Sequence, residues 1–402
     1  MTTTTVTSSA QLLRVLRTAI GGETILLAPG NYGDVSLSSV RPGSRVTIRS
    51  ADPDNDAVFE SLKLTRVANI LFEDVDVRHA LKPGERDSAA AVLVNLSNDV
   101  SFVGLDLEGS VNGTPFDDGN GLVVTNSTRV AVLDSTFREF NNAAGFSRSS
   151  DVIFAGNDVR DSREGVNITT LDGGLFERNF VTGIRPDISK LDHSDAFQVH
   201  AGGANGVSND LVFNGNVIMG DNAQGIFIRS EKAHTLGLNH SNIVITNNYV
   251  EANLRNAIAI SDTDGVIVAN NTIRDADGPG IIAGIALSNL SDAVIARNIV
   301  PLFDIRAGAA NVSTNIAFTD NILVWNDKTK RSISEASLFD APVGTGDLDF
   351  SALGVRSGSV ADSAGAGFRA VAGIGNLAGS AGAQLASYVP QFDGQFAAAY
   401  PL

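Results

Sequence analysis

IFAGNDV (153–159), GLFERNFV (174–181), VFNGNVI (212–218), VITNNYV (244–250), IVANNTI (267–273), VIARNIV (294–300) and IAFTDNIL (316–323) are seven versions of one phrase. Each holds an asparagine at the same place: Asn157, Asn179, Asn216, Asn248, Asn271, Asn298 and Asn321. The gaps between them are 22, 37, 32, 23, 27 and 23 residues, so a unit near 22 repeats, with insertions. A short β-branched phrase at that period predicts stacked β units, because each unit is too short to carry helices. A polar amide fixed among apolar neighbours needs its donors and acceptors satisfied once buried. Asparagines stacked one above the next would satisfy one another, as amide ladders do.

Earlier and later stretches extend the pattern. One series runs through VTIRS (46–50), ILFEDVDV (70–77), VSFVGLDL (100–107) and VAVLDSTF (130–137) into the seven phrases. Before Asn157 the repeated position holds Val75, Leu105 and Ser135, so the amide row starts only at Asn157. A second series lies between them: AAVLVNLS (90–97), GLVVTNS (121–127), GFSRSS (145–150), GVNITT (165–170), AFQVHA (196–201), GIFIRS (225–230), AIAISDT (257–263) and GIALSNLS (284–291). Both alternate with period two, as strands with one buried face do. Eleven or so turns at a spacing of about 4.8 Å would make a rod roughly 50 Å long.

AQLLRVLRTAI (10–20) has helical apolar spacing, with Ser8 and Ser9 as capping candidates, and strands follow. Such a helix is expected to cover the open end of the stack. The expected division is an N-terminal cap and first turn over 1–45, repeats over 46–340, and a last turn with a C-terminal cap or oligomerisation tail over 341–402. The Gly/Ala-rich segment from Ala370 onward is expected to pack back over the last turn, or else to join subunits.

The chain has 402 residues, 18% charged, with 40 glycines for turns and 20 phenylalanines to fill a narrow interior. A net charge of −16 disfavours nucleic acid and anionic membrane as partners. There is no cysteine, which excludes disulfide and thiolate–metal chemistry. The first residues lack the basic and apolar regions of a Sec signal, and no apolar run approaches membrane-spanning length.

These phrases resemble the right-handed parallel β-helix of the pectin-lyase type. The opening, SSAQLLRVLRTAIGGETILLAPGNYGDVSL followed by VTIRSADPDNDAVF, is similar to alginate-lyase, chondroitinase-B-like and mannuronan-epimerase-like proteins. The resemblance implies an all-β, single-chain solenoid with an N-terminal capping helix, engaging a polysaccharide along one face. Fold alone does not assign a reaction, since lyases, hydrolases, epimerases and virion spikes share it. The Asp-Pro-His phrase of alginate epimerases is absent; the nearest stretch is Asp192-His193-Ser194-Asp195.

The densest polar cluster, RPDISKLDHSDAFQVH (185–200), lies in one of three long loops (78–88, 108–120 and 182–194) that precede second-series strands. Alignment of that series predicts three outward rows: Glu164, Asp195, Gln224 and Asn256; then Ser147, Asn167, Gln198 and Phe227; then Thr169, His200, Arg229 and Ser261. Lys190, Asp192 and His193 are expected to overhang them, while Arg148 falls on an inward position and is expected to end its strand or mark a slip in register. Uronate lysis or epimerisation needs a base for the C5 proton and a cation beside the carboxylate. His193 or His200 would be the base, and Arg229 or Lys190 the cation. Hydrolysis would need a carboxyl pair from Glu164, Asp192 and Asp195, and the same oxygens could take Ca²⁺. Asp192, His193, Asp195 and Arg229 are thus the catalytic candidates. Glu164, Asn167, Lys190, Gln198, His200 and Gln224 are the candidates for binding substrate.

Against these stand plainer readings: a loop histidine is often merely polar, and FDDGNG (116–121) reads as an Asp/Gly turn. His234 and His240, in the loop 230–242, have no evident partner. The rival function is a receptor-binding spike of a phage-like particle that recognises capsule polysaccharide, as a homotrimer or within a larger virion-like assembly. The location expected is extracellular or on a virion surface. A purely structural surface protein is a third class. The single tryptophan, Trp325, lies outside the patch.

Overall fold

The computed structural model describes residues 2–190, 192–201, 206–220, 223–276, 282–306, 312–325, 332–340 and 350–376. It is all-β apart from short helices, and every named strand pairing is parallel. Three columns of strands result. The first passes from Val46–Ser50 through 70–73, 98–103, 128–133, 150–155 and 172–177 to 314–319. The second climbs through 62–65, 92–95, 122–125, 144–147, 166–169, 197–199, 226–228 and 258–260 to 303–306. The third includes 75–77, 105–107, 136–138, 158–160, 180–182 and 217–220.

Two series were expected and three columns are found. What the sequence presents as one phrase is two strands separated by a corner. The corner residue is left-handed: Asp74, Gly104, Asp134, Gly156, Arg178, Gly215, Asn247, Asn270, Arg297 and Asp320 have φ between 48° and 67°. Glycine, asparagine and aspartate take that conformation at least cost, so the row is cryptic in sequence wherever arginine stands in it.

The ladder asparagine follows each of the later corners. In each asparagine from Asn157 to Asn298, the backbone N–H and Nδ2 both donate to Oδ1 of the next rung's asparagine, at 2.9–3.0 Å. Nδ2 also donates to a carbonyl of the rung before, for example Val132, Phe154 or Phe176. Both lone pairs and both amide hydrogens of the interior members are used. Before Asn157 the row continues as Ser135, whose N–H donates to Asn157 Oδ1 and whose Oγ accepts from Leu105 N. A second corner carries a serine ladder that the sequence reading missed. There Val67, Ser97 and Ser127 donate N–H to Oγ of Ser97, Ser127 and Ser149, each at 3.1 Å.

Between the columns runs one apolar core, in which Phe72 stacks on Phe102 and Phe176 on Phe213. Its lower end is closed by the helix Ser9–Leu16, capped by Ser8, with Leu12 and Leu16 buried. Before the helix in the chain, Thr3–Val6 adds a first-column strand beside Thr24–Leu27 that was not foreseen.

On the third column the outward residue changes character along the stack. It is Asp76, Asp106, Thr136 and Asp158 on successive rungs, then Phe180, Val217 and Tyr249, and later Ile299 and Ile322. The C-terminal residues cover that apolar stripe: Leu353, Phe368 and Ile374 bury Phe180, Val217 and Tyr249, while Leu338, Phe339, Ala361 and Ala366 bury Ile299 and Ile322. Gly367 N donates to Arg297 O, Arg369 N to Asn247 Oδ1 and Gly375 N to Arg178 O, so the strap descends the stack. Residues 370–376 therefore run down the side rather than over the last turn as expected. Residues 377–402, expected to form a cap or a subunit contact, lie outside the described residues.

Candidate functional site

The second residue of these second-column strands is small: Ala91, Gly121, Ala143, Gly165, Ala196, Gly225 and Ala257. A Cβ on Gly165 would stand 2.2 Å from Ala196 O, and one on Gly225 2.2 Å from Ala257 O. Rungs are in backbone contact at this corner. Asp195 pairs with Gln224, as the row predicted, and Glu164 pairs with Asn142 on the rung before, a partner not foreseen. However, Glu164, Asp195 and Gln224 are buried, at 5%, 1% and 6% exposure, not turned outward. They have the same parity as inward Val166, Phe197 and Ile226, which an assignment by alternation alone should have respected.

Beyond the corner, Asn167, Gln198 and Phe227 form the expected row, and His200 pairs with Arg229. The neighbour of Asn167 on the preceding rung is Gly145, whereas Ser147 belongs with Thr169, a shift of two residues from the expected row. Arg148 is exposed at φ 47°, a corner that ends the strand segment.

The loop from Thr182 to Ser194 meets the 108–120 loop where Arg185 donates to Gly113 O at 2.9 Å. Its end delivers the site. Asp195 N donates to Glu164 Oε2 at 2.9 Å, and Gln198 Nε2 donates to Asp195 Oδ2 at 2.6 Å. His193, 62% exposed, places Nδ1 3.8 Å from Asp195 Oδ2. Arg163, which the sequence reading passed over, ties the cluster together. It donates to Asn141 Oδ1 at 2.6 Å, Asp192 Oδ2 at 2.5 Å and Glu164 Oε1 at 3.3 Å. Its only sequence signal is its place one residue before the Glu164 row. Lys190 does not overhang the site; it is exposed and paired with Asp187 at 2.9 Å.

Burial, reinforced by the charge of Asp195, pushes the Glu164 carboxyl up to about 8. Burial also raises Asp195, against the pull of His193. The Asp195 carboxylate raises His193, while desolvation lowers His200. The two histidines are therefore driven apart, one toward imidazolium and one toward neutral imidazole. His193, Gln224, Phe227, Arg229, Asn256, Ser288 and Arg306 line a cleft of about 300 Å³, at the lower end of the range for small-ligand sites.

His240 is structural: Nδ1 accepts from Ser208 N at 2.9 Å and Nε2 donates to Arg229 O at 3.0 Å, so it supports the strand that carries Arg229. His234 contacts Asn239 and Asn289. In the 116–121 stretch, Asp118 accepts from Ser110 N and Oγ, as a turn-closing aspartate does. Ca²⁺ takes six to eight oxygen ligands. Here the Arg163 guanidinium stands between Glu164 and Asp192, and no group of three or more metal-ligating side chains converges among the described residues. This donor set does not fit the ion. No helix among the described residues is long and apolar enough to cross a membrane.

No protein family and no curated protein matches the sequence. Solved structures do show similarity. An alginate lyase in complex with G6 aligns over 92% of this chain and 96% of its own, at 13% identity and TM-score 0.47. A mannuronic-acid-specific polysaccharide family 6 lyase from human gut microbiota aligns over 80% and 83%, at 12% and 0.45. The catalytic domain of a GH87 α-1,3-glucanase with tetrasaccharides aligns over 83% and 68%, at 11% and 0.42. Likeness this distant assigns neither a residue nor a reaction to this chain.

Proposed function

We propose that the strands wind as a right-handed parallel β-helix, and that the chain is a polysaccharide-acting enzyme whose centre is the cleft beside His193. The observation that carries this is the pairing of buried Asp195 with exposed His193 on the cleft wall, with Arg229 on the same wall. A buried carboxylate behind a histidine orients the ring and holds its proton. The cleft then offers an acid in His193 and a cation in Arg229, and the neutral base is His200, which is not among the lining residues but pairs with Arg229 from the neighbouring strand.

That combination suits β-elimination in an acidic glycan. His200 takes the C5 proton and Arg229 neutralises the enolate-like charge. His193 protonates the departing glycosidic oxygen as the bond to C4 breaks, which leaves an unsaturated sugar and a new chain end.

Incubation with acidic polysaccharides, following unsaturated-uronate absorbance and reducing ends in parallel, separates the cases. Absorbance that rises with wild type and is lost in His193→Ala supports elimination, whereas reducing ends alone indicate hydrolysis. Binding with neither product would overturn the enzymatic reading in favour of a receptor-binding protein.

A further inference from the structure

Beyond His193 the cleft continues onto the rungs of Asn256 and Arg306, and its charge there runs against that of the molecule. Arg255 donates to Asp304 Oδ1 at 3.1 Å and Arg306 to Asp304 Oδ2 at 3.0 Å, so two guanidiniums share one carboxylate. Arg306 also reaches Asn256 Oδ1 at 3.5 Å, and Asn256 Nδ2 donates to Gln224 Oε1 at 2.5 Å, which links this group to the row that begins at Glu164. Asp304 is mostly buried, while Arg255 and Arg306 remain about half exposed. Arg229 lies on the same cleft wall, and the lining acid, Asp262, is buried beneath Asn289. A chain of net charge −16 thus carries a local excess of cations beside its cleft. The opposite direction differs: Asn167 donates to Asn142 and Asn142 to Asn120, an uncharged amide track.

We propose that Arg255 and Arg306, held by Asp304, form a subsite for an anionic group of the glycan, a carboxylate or a sulfate ester, one or more sugars away from His193. Guanidinium forks suit both groups through paired charge-assisted hydrogen bonds. The glycan then lies along the stack with a fixed direction, its charged portion toward Arg306 and its less charged portion along the amides. This rests on the polysaccharide reading of the cleft.

The test is binding, measured by calorimetry with a uronate oligosaccharide, a sulfated oligosaccharide and a neutral glucan oligosaccharide. Wild type is expected to bind at least one anionic probe with salt-sensitive affinity, and the preferred probe identifies the anion. Arg306→Gln should weaken that affinity about tenfold, the size of one lost charged contact. Asp304→Asn, which removes the compensating charge, should tighten it at low salt. Unchanged affinity in Arg306→Gln, or equal loss for the neutral probe, overturns the subsite. Salt-sensitive anion binding without any product sinks the enzymatic reading and leaves the subsite standing.

Discussion

Glu164 is a carboxyl kept mostly out of water, with the Asp195 charge beside it and Arg163 only partly offsetting both. Its folded pKa, about 8, lies above the ordinary 4.5. The folded state therefore holds more protons than the unfolded state between those values, and stability falls as pH rises through that window. Glu164→Gln should remove this dependence. Its melting temperature should vary less than that of wild type between pH 5 and about 9, and exceed it at the alkaline end; parallel curves would contradict the assignment. Arg163 carries a second prediction: Arg163→Gln deprives Glu164 of the cation that lowers its pKa, so the fall in stability with rising pH should be larger than in wild type and continue to higher pH, and Arg163→Lys should reverse part of that change. Polar identity made Asp192, His193 and Asp195 legible in the sequence. The burial of Asp195 was open to the same reading, since it shares the parity of inward Phe197, but its charge argued for the surface, and the contact between rungs at Gly165 and Ala196 that shields it is not written in any one phrase.

At the scale of elements, the asparagine ladder was legible because a buried amide that repeats has one economical solution. Asn248→Leu leaves Asn216 N–H and Nδ2 without their acceptor and takes from Asn271 Oδ1 one of its two donors, the backbone N–H of residue 248 remaining. A loss of about 1–3 kcal/mol per orphaned buried group is expected in denaturant unfolding, with glycan binding unchanged. The serine ladder escaped notice because serine is as common in turns as in ladders, and its repeat at Ser97, Ser127 and Ser149 lies among other turn residues. The third column was hidden by its corner residues. Arg178 and Arg297 hold left-handed backbone where sequence suggests an unbroken strand.

For the molecule as a whole, the strap is the feature that ties distant rungs together. Phe368 is fully buried against Tyr249, and Gly367 sits where a Cβ would meet Ile299 Cδ1 at 2.4 Å. Phe368→Ala should cost about 3–5 kcal/mol and speed proteolysis between residues 350 and 376, while the His193 cleft, on another column, keeps its affinity. Equal resistance to protease would show that the strap is held elsewhere. The strap was not foreseen because what it covers is written two hundred residues earlier, in the change from Asp158 to Phe180 on adjacent rungs.

That separation has a consequence for synthesis. A ribosome delivers Phe180, Val217, Tyr249 and Ile299 well before the residues that shield them, so a growing chain carries a bare greasy seam until residues 338 to 374 have followed. Partly made or prematurely terminated chains would then stick to one another through that seam, and slow translation between residues 300 and 374 would lengthen the interval of risk.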